Sequence, residues 1–164
     1  MLWELARNSV HSTLVSDEHT FLLQRVQPAM VGLIDGSLST LAPIFAVALA
    51  THQPRYAFLA GLATPIGAGV SMAFSEGLSD TGDLTGAITG AGTFLGGILH
   101  TLPFLIPDHR SAVLLALAVI AFELLALAWI RRRFFGTGFL SSLLSVTFGG
   151  AIIATISAAL GAVR

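Results

Sequence analysis

The stretch "QPAMVGLIDGSLSTLAPIFAVALATH", residues 27–52, decides the fold class of this chain. Asp35 is its only acid, and it contains no arginine or lysine. About 20 apolar residues in a helix, rising about 1.5 Å each, cross a hydrocarbon layer of about 30 Å. The stretch therefore predicts a membrane-spanning helix that carries one carboxylate inside it.

The composition of the whole chain agrees with a membrane protein. Of its 164 residues, 54% are hydrophobic and 10% are charged, whereas a soluble domain carries about 25% charged residues. The net charge of −1, with one basic run at Arg131–Arg133, excludes a nucleic-acid-binding surface. The absence of cysteine excludes disulfides and thiolate metal sites. We expect no prosthetic group.

Five apolar segments of roughly 20 residues each are separated by short breaks rich in proline, glycine and charged residues. They predict an all-α membrane protein with five transmembrane helices per subunit. Residues 26–164 would form the transmembrane transporter domain, and residues 1–25 an amphipathic N-terminal cytoplasmic arm. The predicted spans are 27–50, 56–78, 84–106, 111–130 and 138–162.

The distribution of arginine predicts the orientation of the helices, because cytoplasmic loops carry an excess of basic residues. If the N-terminus is cytoplasmic, five arginines lie on the inner side and three on the outer side. The excess on the inner side comes mainly from the three arginines at 131–133. We therefore predict that the N-terminus is cytoplasmic and the C-terminus is outside. The outer arginines would be Arg55, Arg110 and Arg164.

Three acids, Asp35, Glu76 and Glu123, fall within the apolar segments. A charged group at the bilayer centre costs about 2.5–3.5 kcal/mol on insertion scales, so such groups usually mark an ion pathway. The structural alternative is a protonated acid that is hydrogen-bonded to a neighbouring helix. The hydroxyls near Asp35 favour the pathway for that residue; they belong to Ser37, Ser39 and Thr40.

The roles of Glu123 and of His100 stay open at this point. Glu123 is either a second acid on the cytoplasmic half of the pathway or the partner of an arginine on another helix. His100 either relays protons, because its ordinary pKa lies near 6.5, or donates a hydrogen bond to a carbonyl.

Met72 and Glu76 are four residues apart, so they share one face of the second predicted helix. Asp80 and Asp83 extend that face toward its end. Carboxylates attract any divalent cation, whereas a thioether discriminates against hard ions such as Ca²⁺ and Mg²⁺. The candidate metal ligands are therefore Asp35, Met72, Glu76, Asp80, Asp83 and Glu123. For Met72 alone, ordinary packing is the better interpretation.

Two motifs resemble the vacuolar iron transporter family: "DGSLSTLAPIFA" at 35–46 and "GAGVSMAFSEGLSD" at 67–80. That family shows an Asp-Gly pair in the first membrane helix. Its second helix shows a Ser-Met-Ala stretch followed by Glu and, three residues later, Ser. The stretches "LHTLPFLIPDH" at 99–109 and "AWIRRRF" at 128–134 resemble one branch more closely, the membrane domain of bacterial membrane-bound ferritins.

The resemblance implies a homodimer with five spans per subunit and a cation path between the subunits. It implies that Asp35 and Met72 line this path, with Glu76 toward its cytoplasmic mouth. It also implies a bacterial inner membrane and the exchange of divalent iron or manganese for protons. Residues 1–25 are too short for a ferritin-like four-helix bundle, so we expect the metal to come directly from the cytosol or from a separate ferritin-like protein.

The leading hypothesis is a secondary transporter that exports Fe²⁺ or Mn²⁺ in exchange for protons. The alternative is a non-transporting membrane anchor or partner subunit for a soluble ferritin-like protein. An enzyme has little support, because the sequence shows no Ser-His-acid set, no two-histidine metal motif and no phosphate-binding loop.

Overall fold

The computed structural model describes residues 20–79 and 83–161, which are helical apart from short connections and contain no strand. The predicted all-α class is confirmed. A π-helical turn, Leu22–Val26, leads without a break into the first helix. Most of the predicted N-terminal arm, residues 1–19, lies outside the described residues. The five α-helices are α1 (Gln27–Thr51), α2 (Pro54–Gly77), α3 (Asp83–Leu99), α4 (His109–Phe135) and α5 (Phe139–Gly161).

Within the described residues, four helices are long and apolar enough to cross a bilayer. They are α1 with its π-helical turn, α2, α4 and α5. Their bounds follow the predicted segments closely, except that α4 continues to Phe135 instead of ending near residue 130. The chain therefore has the features of a multi-pass membrane protein. Helix α3 is apolar but shorter, so the count of five spans stays a prediction.

The third predicted segment, 84–106, is wrong in its last seven residues, because α3 ends at Leu99. Pro103 lacks the N–H that would bond the carbonyl of Leu99, and its ring would clash with that carbonyl. The chain turns instead, with the Thr101 amide donating to the Ile98 carbonyl at 3.0 Å. A 3₁₀ turn follows at Leu102–Leu105.

Phe104 holds this turn inside the bundle. Its side chain is 2% exposed and packs edge to face against Phe45 of α1, with ring centroids 6.5 Å apart. Edge-to-face pairs stabilise by about 0.5–1.5 kcal/mol beyond the area that they bury. The turn is therefore apolar because it is packed, not because it spans the membrane as a helix.

Helix α4 begins with a side-chain cap that ends the connection from the turn. The carboxylate of Asp108 accepts a hydrogen bond from the Ser111 amide at 2.8 Å. The side-chain and backbone hydrogen bonds from Ser111 hold the pKa of the exposed Asp108 carboxyl below its usual value. The cap satisfies one of the free amides that every helix start presents.

Helices α1 and α3 pack backbone against backbone and run parallel. Gly32 lies against the carbonyl of Thr89 and Gly36 against that of Thr93, so residue numbers rise together along both helices. Helix α2 packs on α3 in the opposite direction, with Gly69 facing Gly90. Small-residue faces therefore let these helices approach closely, and they fix α3 between α1 and α2.

Gly36→Ala is expected to destabilise the protein by about 1–3 kcal/mol, because overpacking at a close contact forces neighbouring elements apart. The added Cβ would overlap the carbonyl of Thr93, a backbone group that cannot rotate away. Thermal unfolding in detergent measures the loss.

Gly67→Ala is the matched control, because nothing lies within 4 Å of a Cβ added there. In that open position alanine should leave stability unchanged or raise it by up to about 1 kcal/mol through helix propensity. Equal melting temperatures for the two variants would contradict the close packing of α1 on α3.

Candidate functional site

Asp35 lies in the first half of α1 and is only partly buried. Within the described residues its carboxylate makes no hydrogen bond or ion pair. A carboxylate at this depth is costly in lipid, and no neighbour in the described part of the subunit offsets that cost. The group is therefore available to a ligand or to a second subunit.

The hydroxyls near Asp35 do not form one polar patch around it. Successive residues of a helix are about 100° apart around its axis, so Ser37 lies nearly opposite Asp35. The Ser37 hydroxyl donates to the Gly96 carbonyl of α3 at 3.4 Å, and Thr40 is fully buried. Ser39, one turn from Asp35, shares its side of the helix and donates to Gly36 at 3.5 Å. The sequence interpretation of these hydroxyls is corrected: two of them belong to the packed face of α1.

Met72 and Glu76 both lie on α2, one turn apart and partly buried. The predicted shared face is therefore present. Glu76 has an interaction of its own, so its carboxylate is not a free group. An open cleft of about 290 Å³ lies beside this end of α2, and its wall is apolar. Its lining residues are Ala73, Phe74, Gly77, Leu78 and Ala87.

The remaining acids of this face are not described. Asp80 lies outside the described residues, and the side chain of Asp83 is likewise not described. Among the side chains that are described, no three histidines, cysteines or acids come close enough to hold one metal ion. The described part of the chain therefore does not assemble a complete metal centre from the predicted ligands.

Glu123 lies on α4 and pairs with His100, at the end of α3. His100 Nδ1 and Glu123 Oε2 are 3.1 Å apart, and the two residues are 0% and 7% exposed. Neither of the two roles that the sequence left open for Glu123 included His100 as its partner. The predicted hydrogen bond from His100 to a carbonyl is wrong, because Nδ1 of His100 lies against this carboxylate instead. The pair joins α4 to the turn after α3, and neither Asp35 nor Met72 takes part in it.

Each residue of this pair has a second polar side-chain atom that makes no hydrogen bond in the described part of the chain. His100 Nε2 and Glu123 Oε1 are buried without a hydrogen-bond partner. With Nδ1 engaged in the shared bond, Nε2 is a possible hydrogen-bond donor and Oε1 a possible acceptor. One water molecule that accepts from Nε2 and donates to Oε1 would satisfy both atoms.

Threonines on α3 form a buried hydroxyl row that the sequence analysis did not identify. Thr89 and Thr93 donate to the carbonyls four residues earlier, at 2.9 and 3.0 Å. Thr101 donates to Gly97 and also to Gly61 of α2, at 2.9 and 3.0 Å. The four-residue spacing from Thr85 through Thr93 was the sequence pattern that could have predicted this row. Its hydroxyls are bonded to backbone carbonyls, so the row supports helix packing rather than ion binding.

Comparisons of the chain with models of protein families, with curated proteins and with solved structures give no match.

Proposed function

We propose that this chain is a secondary transporter that exports Fe²⁺ or Mn²⁺ from the cytoplasm in exchange for protons. The observation that carries the proposal is the Asp35 carboxylate, which lies on a helix of spanning length without a partner among the described residues. A carboxylate must be ionised to bind a metal ion, so metal and proton compete for it. That competition is the simplest form of ion exchange.

Met72 and Glu76 supply the second part of the proposed path. Their common face on α2 offers one thioether and one carboxylate, a mixed set that suits a borderline transition metal better than Ca²⁺ or Mg²⁺. Glu76, near the end of α2, would receive the ion at the cytoplasmic mouth. Asp80 and Asp83 would attract cations to that mouth from the connection that follows.

We propose that the path is completed between two copies of the chain. In support of a dimer, a single subunit leaves Asp35 without a described partner and brings together no three described acid or histidine ligands. A second copy would double the number of ligands around one axis. Membership of the vacuolar iron transporter family, in a bacterial inner membrane with a cytoplasmic N-terminus, belongs to the same proposal. Glu123, bound to His100, is not included in the proposed path.

Reconstituted liposomes test the proposal with Fe²⁺ and Mn²⁺ in turn, with and without a pH gradient. We expect metal to move only in liposomes that contain the protein, and to move faster when protons can flow the opposite way. Empty liposomes set the background rate. No metal movement under any gradient, together with capture of a soluble ferritin-like protein, would favour the membrane anchor instead.

A further inference from the structure

His52 and His109 lie together at one end of the bundle, although they belong to different connections. His52 follows α1, and His109 is the first residue of α4. Their ring centroids are 5.1 Å apart and the rings are tilted by 50°. His109 Nδ1 is buried without a hydrogen-bond partner among the described residues, so one ring nitrogen of this pair is unsatisfied.

The distance between the rings is compatible with a metal ion bound by both of them. With metal–nitrogen bonds of about 2.0–2.1 Å, two imidazoles on one ion have centroids about 4.5 Å apart at a right angle and about 5.2 Å apart at a tetrahedral angle. The observed 5.1 Å falls inside that range. The tilt of 50° shows that the rings are not stacked face to face.

The ligand atoms, rather than the surrounding charges, decide which ions such a pair would select. Arg55 lines the adjoining cavity and Arg110 follows His109, whereas the carboxylate of Asp108, the residue before His109, caps α4. These charged groups give divalent cations of either class no net attraction. Coordination by neutral imidazole nitrogen favours borderline transition metals such as Zn²⁺, Ni²⁺ and Fe²⁺.

The space beside His52 is large enough for a hydrated ion. A cavity of about 470 Å³ borders His52, and its wall includes Gln53, Arg55 and Phe104. Two imidazoles fill only part of a coordination shell, so water would occupy the other positions. Such a site binds and releases ions readily, unlike a closed structural site with four protein ligands.

We propose that His52 and His109 form a two-histidine site for a borderline divalent transition-metal ion at this end of the bundle. The site stands on its own geometry. Its role rests on the proposed function: both residues lie in connections predicted to face outside, so the site would receive the exported ion. It is separate from the proposed path through Asp35.

Zn²⁺ titration of the full chain in detergent tests the site by calorimetry, in excess Mg²⁺ to occupy carboxylates. His52→Asn and His109→Asn should each lower Zn²⁺ affinity at least tenfold, and the double variant should bind no more weakly than either single one. Asparagine suits position 52, where φ is +54°, because it tolerates the left-handed region. Melting temperatures without metal show that the variants are folded.

The control is the double substitution of His11 and His19, which should leave this affinity unchanged. Unaltered Zn²⁺ binding in His52→Asn, or equal and additive losses from the two single variants, would overturn the shared site. Asp35→Asn should retain the Zn²⁺ site. If the protein binds Zn²⁺ at this site but moves no metal in liposomes, only the transporter proposal is contradicted. If the protein moves metal but both histidine variants bind Zn²⁺ as tightly as the wild type, only the histidine site is contradicted.

Discussion

Asp35→Asn is expected to lower metal flux in liposomes at least tenfold while leaving the stability of the protein unchanged or raised. Asparagine keeps the shape of the side chain but removes the charge that would hold a divalent ion. A tenfold loss of flux corresponds to about 1.4 kcal/mol of activation free energy. Because the carboxylate has no described partner, its removal breaks no hydrogen bond or ion pair among the described residues. It also removes a charge that lipid disfavours.

A loss of flux without a loss of stability makes this variant informative. A structural acid that is hydrogen-bonded to a neighbouring helix would lose stability and flux together. Asp108→Asn is the matched control, because Asp108 lies outside the long helices and caps α4. Asparagine caps a helix about as well as aspartate, so this variant should leave both stability and flux nearly unchanged. Near-normal flux in Asp35→Asn would exclude Asp35 from the path.

His100→Leu is expected to lower the free energy of unfolding by about 3–5 kcal/mol, the largest stability effect that the structure predicts. Glu123 is 7% exposed, in the bundle interior, and the substitution removes the His100 nitrogen that lies 3.1 Å from its carboxylate. Breaking a buried pair from one side is costly because an uncompensated group remains. Denaturant unfolding in detergent measures the loss.

The double variant His100→Leu/Glu123→Leu provides the control for that prediction. Replacing both partners by apolar side chains removes the unpaired group, and such replacements are often neutral or stabilising. The double variant should therefore be more stable than His100→Leu. If the two substitutions act additively, the two side chains do not depend on each other in the way their contact indicates.

The sequence predicted the long helices well because each is a continuous apolar run that ends at turn residues. Pro54 begins α2, and the glycine at 136 ends α4 in the left-handed conformation. It failed at α3 because an apolar turn and an apolar helix have the same hydropathy. Pro103 was the local signal that the helix ends, and the packing of Phe104 against Phe45, far apart in the chain, keeps the turn inside the bundle.

The candidate site was predictable only in part, for a similar reason. The four-residue spacing of Met72 and Glu76 is a local pattern, and their shared helix is observed. The partner of Glu123 lies on another element, so no pattern within one helix could identify His100. The proximity of His52 and His109 likewise depends on how two connections meet. Tertiary partners of polar groups are not encoded in helical periodicity.

The central claim is that a metal ion and protons exchange through Asp35, and simultaneous recording of both ions tests it most directly. Liposomes containing the protein would carry a pH-sensitive dye inside, and Mn²⁺ movement would be followed in the same sample. We predict that Mn²⁺ and protons cross in opposite directions in the wild type, and that both movements stop in Asp35→Asn. Metal movement without proton movement, or unchanged exchange in the variant, would contradict the account.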